Sequence, residues 1–282
     1  MMLYLELRNL IDTVVIKKGK LMFADYHVHT SFSDDSKYPM EECVKRAIHL
    51  GIDELCFTEH IDYGVKRNFN CNLEAYRKEF LKCKNLYQDK ITLKFGIEFG
   101  IQIGTINRFQ QDFDKYPFDF VILSCHQVDN REFWTQEFQR GKTQDEYQKK
   151  YYEEILKVME KYHDYSILGH LDMIKRYDTQ GEYPFEKTKP LVEEILKKAI
   201  AEGKGLELNT SSFRYGLKDL TPSTDILKLY KSLGGEIITI GSDTHKEEHL
   251  GFKIIELQGK LKSLGYQNVY TFEKMEPIAH KL

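Results

Sequence analysis

A chain of 282 residues with 41% hydrophobic residues, 17 Phe and 18 Tyr can bury a large core, and α/β barrels commonly reach this length as one domain. Charged residues make up 30% and nearly cancel, leaving a net charge of −3. That balance argues against affinity for nucleic acid, which needs a basic face, but leaves room for a small anionic substrate held by metal ions. No apolar run is long enough to span a bilayer, and five scattered cysteines form no C-x-x-C pair, so reduced thiols, a cytoplasmic location and no membrane partner are expected.

Residues 1–21 lack the order and cleavage site of a signal peptide. They read as an N-terminal extension of unknown role ahead of a single domain over 22–282. Short apolar runs then alternate with segments of helical period. The runs are FADYHV (23–28), ELCFTEH (54–60), ITLKFGIE (91–98), FDFVILSCH (118–126), SILGH (166–170), GLELN (205–209) and EIITIGSD (236–243). Met40, Cys43, Val44, Ala47 and Ile48 share one helix face, with Pro39 near its start and Gly51 past its end. Residues 143–163 and 186–203 predict longer helices. Thr221-Pro222 is expected to open another, with the threonine as cap. The tail predicts a helix near 250–263 and a strand at NVYTF. Continuously apolar strands alternating with helices imply a parallel α/β sheet, and with no G-x-G-x-x-G after the first run a closed or nearly closed barrel is the better expectation.

The ends of the runs carry a common chemistry. His27 and His29 end the first, with Asp35 following. Glu59-His60, Glu98, His126, His170 and Asp243-x-His245 end others, and only the sixth, at Asn209, lacks a charged or imidazole donor. In a parallel barrel these ends share one rim, and partners at i and i+2 share one side of a strand. One histidine at a strand end is ordinarily a hydrogen-bonded structural residue; six or more at successive ends are not. Nine nitrogen and oxygen donors without a thiolate suit two or three ions of Zn, Mn or Fe. Cys125 should point into the core, Asp34 serve as a loop or capping residue, and Asp172 orient a ligand histidine. Glu59 either orients a ligand or is structural. His49, His163 and His280 read as structural or solvent-facing, and His249 stays open.

The segments HVHTSFSDDS, CFTEH, GIEFG, SCH, LGHLD and GSDTH together resemble the polymerase-and-histidinol-phosphatase (PHP) superfamily. ILGHLDMIKRY, LELNTSSFRYG and SLGGEIITIGSDTH look most like its histidinol-phosphate phosphatase branch, from about Met22 to Gly251. The resemblance implies a distorted (β/α)7 barrel with three divalent ions at the C-terminal rim. One would be held by His27, His29, Glu98 and Asp243, and a second by Glu98, His126 and His170. The third would take Asp35, His60 and His245. Glu59 stands where aspartate is common and Thr244 where alanine is common, both beside ligands. Some relatives carry histidine at the Asp35 position.

The implied activity is hydrolysis of L-histidinol phosphate to L-histidinol and phosphate, a step of histidine biosynthesis. Adjacent ions would acidify a water and neutralise phosphoryl oxygens, with Asp243 and His245 assisting proton transfer. Arg176 and Arg214 are candidates to grip phosphate, the alternative for each being a surface ion pair. Glu132, Phe133 and Trp134 are candidates for the amine and imidazole. Rival readings are another PHP-type phosphoesterase, acting on nucleotides, phosphotyrosine or general monoesters, and an inactive metal-stabilised interaction module. A homo-oligomer is compatible with either.

Overall fold

The computed structural model describes residues 21–65 and 70–282, so the expected extension falls, but for Leu21, outside the described residues. The strands β1 (Ala24–Val28), β2 (Glu54–Ile61), β3 (Thr92–Gly100), β4 (Phe120–Ser124), a small hairpin of β5 (Gln127–Val128) and β6 (Arg131–Glu132), then β7 (Ile167–Leu168), β8 (Gly205–Asn209) and β9 (Ile238–Gly241) follow the expected runs. Seven of them form one parallel sheet in the order β1-β2-β3-β4-β7-β8-β9. Its two edges meet: His29 N–H donates to Thr244 O at 2.8 Å and Thr244 N–H to His27 O at 3.2 Å. The sheet is therefore a nearly closed barrel, the PHP-type architecture expected.

Helices α1 (Met40–Leu50), α2 (Leu73–Tyr87), α3 (Ile106–Lys115), α4 (Gln144–Met159), α5 (Phe185–Ala201), α6 (Thr224–Ser232) and α7 (Ile254–Ser263) complete the repeats. In α1 the buried residues are Met40, Cys43, Val44 and Ala47, the i, i+3, i+4, i+7 stripe that faces a core. Gly51 ends it at φ 73°, a left-handed position that glycine takes without a Cβ clash. The cap of α6 is Ser223, whose Oγ accepts from Ile226 N–H. Thr221 does not cap it. Its carbonyl accepts instead from Asn209 N–H at 2.8 Å, committing Thr221 to the end of β8.

A terminal hairpin, β10 (Asn268–Glu273) and β11 (Glu276–Lys281), closes the barrel floor. Tyr26, Cys56, Phe120, Ile122, Ile167 and Phe272 form an inner cluster there, with the Tyr26 and Phe120 rings edge to face at 4.9 Å. Phe272 N–H donates to Tyr26 Oη at 2.7 Å, and the Tyr26 hydroxyl donates to Glu54 Oε1. Tyr26 thus faces the floor while its neighbour His27 faces the opposite, C-terminal end. A register shift between Asp25 and Val28 accompanies that change of direction in β1. No helix among the described residues is long and apolar enough to cross a membrane.

Candidate metal centre and active site

Glu98 is the hub of the C-terminal rim. It is fully buried near the end of β3, where it pairs in register with His60 on β2. Its Oε1 lies 2.9 Å from His170 Nε2 and 3.2 Å from His126 Nε2. Its Oε2 lies 3.0 Å from His27 Nε2, 3.0 Å from His60 Nδ1 and 3.4 Å from His29 Nε2. Burial alone would raise the Glu98 pKa, but the imidazoles of His27, His126 and His60 hold it well below the usual carboxylate range.

Asp243 stands opposite. Its Oδ1 is 3.8 Å from His27 Nε2, 3.7 Å from His29 Nε2 and 3.5 Å from His245 Nδ1. Asp35 forms a third corner, with Oδ2 at 3.2 Å from His245 Nε2 and 3.6 Å from His60 Nε2. The structure thus brings together all nine expected donors, His27, His29, Asp35, His60, Glu98, His126, His170, Asp243 and His245. Donor atoms of His27, His29 and Asp243 lie within 4.8 Å of one another, as do those of His60, Glu98 and His126, and those of His29, His60 and His245. His170 and Asp243 hold positive φ, 21° and 55°, strain of the kind that collects at functional sites.

His29 gives the sharpest test of whether these residues fit a metal. Ser33 Oγ donates to Glu59 Oε2 at 2.5 Å, so His29 Nδ1 at 3.2 Å must be the donor to Ser33 Oγ. That leaves Nε2 with a bare lone pair, fully buried, without a hydrogen-bond partner among the described residues. The pair faces the carboxylates of Glu98 and Asp243. Burial first, then the nearby His60, His245 and His27 rings, keep the His29 pKa well below its ordinary value, so protonation does not relieve the arrangement. A lone pair aimed at two anionic oxygens is satisfied by a cation between them.

The surrounding residues fix this arrangement. Glu59 accepts from Thr30 N–H and from the Thr30 and Ser33 hydroxyls, so it anchors the loop after β1. Two carboxylates escaped the sequence reading. Asp62 Oδ1 accepts from His126 Nδ1–H at 2.8 Å. Glu207 Oε1 accepts from His27 Nδ1–H at 2.5 Å. Glu207 had a signal, being a carboxylate in the all-buried strand GLELN, two residues before Asn209 and so on the same strand face. Asp172 was expected to orient a ligand histidine; it accepts instead from Lys175 Nζ at 2.7 Å and Ser223 N–H at 2.9 Å, because the turn after His170 carries it away from the rim. Cys125 packs in the core as expected, and so does Phe133, against Phe138 and Tyr151, which removes Phe133 from the candidate substrate contacts.

Above the donors opens a cavity of about 880 Å³. Arg176, Arg214, Trp134, Glu132 and His249 line it. Neither arginine makes the surface ion pair that was the alternative. The Arg176 side chain is buried, donates to Ser211 Oγ at 2.7 Å, lies 3.6 Å from Asp243 Oδ2 and stacks 4.0 Å over the Tyr215 ring. Arg214 donates to the carbonyls of Ser242 and Asp243, both at 2.8 Å. Each keeps one buried N–H without an acceptor among the described residues, Nε of Arg176 and Nη1 of Arg214.

Comparison with known proteins agrees with this geometry. The PHP domain model matches residues 25–211. A histidinol-phosphatase of Lactococcus lactis subsp. lactis is 34% identical over 256 residues, covering 89% of this chain and 95% of that protein. A probable histidinol-phosphatase of Clostridium acetobutylicum is 31% identical over 237 residues, covering 82% and 89%. The crystal structure of histidinol phosphate phosphatase from Lactococcus lactis, complexed with zinc, L-histidinol and phosphate, matches with a TM-score of 0.83 and 33% identity over 92% of this chain and 100% of that one. The chain belongs to the PHP domain family.

Proposed function

We infer that this chain is a metal-dependent histidinol-phosphatase, a phosphoric monoester hydrolase that converts L-histidinol phosphate and water to L-histidinol and phosphate. The similarity to the Lactococcus enzyme over nearly the whole chain supports the substrate. The observation that carries the chemistry is the buried Nε2 of His29, without a hydrogen-bond partner among the described residues and facing two carboxylates inside a nine-donor cluster.

The donor set fits three ions of Zn, Mn or Fe. We assign His27, His29, Glu98 and Asp243 to the first, Glu98, His126 and His170 to the second, and Asp35, His60 and His245 to the third. Bound ions supply an acidified water and positive charge opposite the phosphoryl oxygens. The rest falls to the chain's own residues. Arg176 and Arg214 are assigned to the phosphoryl group, since a guanidinium fork matches its geometry and each has donor capacity to spare. As the bond from water oxygen to phosphorus forms and the ester P–O bond breaks, the leaving alkoxide takes up a proton. We assign Asp243 and His245, joined through His245 Nδ1 and Asp243 O at 3.1 Å, to that exchange. At the mouth, the half-exposed Trp134 can stack on imidazole and Glu132 can face an ammonium. Five free, buried cysteines fit a reducing cytoplasm.

The test is phosphate release from L-histidinol phosphate by purified protein, before and after stripping with a chelator. Activity that disappears on stripping and returns with Zn, Mn or Fe is expected. Equal turnover by fully metal-free protein would contradict the reading.

A further inference from the structure

We propose that Glu207 is a positioning residue that locks two of the metal-binding corners to each other, an inference that rests on the metal-dependent reading above. Its two oxygens do different work. Oε1 accepts from His27 Nδ1–H at 2.5 Å, which orients the ring so that its Nε2 faces Glu98 and Asp243, at 3.0 and 3.8 Å. Oε2 accepts from the main-chain N–H of His170 at 2.8 Å, and so holds the residue that sits at φ 21° with its own Nε2 on the other oxygen of Glu98. Asn209 Nδ2, at 3.2 Å from Oε2, links the same carboxylate to Asp243 Oδ2 at 3.3 Å. One buried side chain thereby sets the aim of His27 and the backbone of His170.

The surroundings are built to leave it room. Gly241, beside β8 on β9, has no Cβ; one placed there would stand 2.3 Å from His27 Cβ and 2.5 Å from Glu207 Oε1, so the glycine leaves room for the contact between the two. Such outer carboxylates fix the orientation and raise the basicity of a metal-binding imidazole.

Glutamine is the informative substitution. Its size is that of glutamate, but with one acceptor and one donor it can serve His27 Nδ1–H or His170 N–H, not both. Glu207→Gln should retain the wild-type far-UV spectrum and weaken metal binding in chelator competition by about 10- to 100-fold. In the zinc-loaded protein, ¹⁵N NMR should show the His27 Nδ1–H signal shifting as an amide replaces its carboxylate acceptor. Unchanged affinity together with an unchanged His27 Nδ1–H signal would overturn the proposal. So would loss of one whole ion with the others bound as tightly as before, since that would make Glu207 a ligand. If wild-type protein binds metal but leaves histidinol phosphate intact, the substrate assignment fails while these binding and NMR results still decide the role of Glu207.

Discussion

Arg176→Met separates phosphate recognition from architecture. Methionine keeps an aliphatic stem but deletes the hydrogen bond to Ser211 Oγ, the ion pair to Asp243 Oδ2 and the stack on Tyr215. A hydrogen bond from a charged group is worth about 1.5–3 kcal/mol, and a cation–π contact about 0.5–2 kcal/mol. The desolvation cost of the buried cation disappears with it, and Asp243 Oδ2 keeps Asn209 Nδ2 and Ser211 Oγ as neighbours. The fold should therefore lose only about 1–3 kcal/mol, with Tm falling by roughly 2–4 °C per kcal/mol for a chain of this size. The transition state should lose more, because a donor aimed at developing charge is worth about 2.7–4 kcal/mol, or about 100- to 1000-fold in kcat/KM. The assay is steady-state phosphate release beside inhibition by inorganic phosphate, with Tm measured on the same samples. Arg176→Lys, which keeps the charge without the fork, should fall between wild type and Arg176→Met. A kcat/KM within about threefold of wild type and unchanged phosphate inhibition, at the expected Tm, would refute the phosphate role and leave Arg176 as a partner of Asp243 alone.

Glu98→Gln removes the carboxylate shared by five imidazoles. Elemental analysis should show fewer ions per chain, and kcat should fall by about a thousandfold or more; wild-type stoichiometry would contradict the hub role. Phe272→Ala opens the barrel floor far from the rim, and should cost about 3–5 kcal/mol, read as a lower Tm, while folded protein keeps its kcat. Glu54, on the same floor, has its pKa raised by burial against the opposing effects of the Tyr26 hydroxyl and Lys94. A carboxyl with a raised folded pKa contributes its full stability below the unfolded value near 4.5 and loses it as pH rises through the folded value. Glu54→Gln should therefore stabilise the protein more at pH 7 than at pH 4 relative to wild type, and thermal melts showing the opposite trend would contradict this sign.

Much of the rim was legible because a parallel barrel turns sequence into position. Each apolar run ends at the same rim, so donors at 27, 29, 60, 98, 126, 170, 243 and 245 converge without any knowledge of which strands pair. Asp62 and Glu207 were not legible in this way. One lies just past the end of β2 and the other inside β8, and each acquires its role from a histidine on a distant strand. Asp172 and Thr221 misled for the same reason. Local pattern suggested a histidine partner and a helix cap, whereas Lys175 and Ser223 claim the first and Asn209 claims the second. The strand at NVYTF was visible from its β-branched and aromatic residues, but its partner EPIAHK, largely exposed, carries no apolar alternation. Its pairing follows from the hairpin turn and from the floor that Phe272 fills.

The central claim is best tested by kcat/KM for L-histidinol phosphate beside p-nitrophenyl phosphate and AMP, using metal-replete protein. A preference for histidinol phosphate of at least about a hundredfold, roughly 2.7 kcal/mol in the transition state, is the predicted result. Comparable slow turnover of all three would contradict it, leaving a PHP phosphoesterase without the histidinol specificity assigned here.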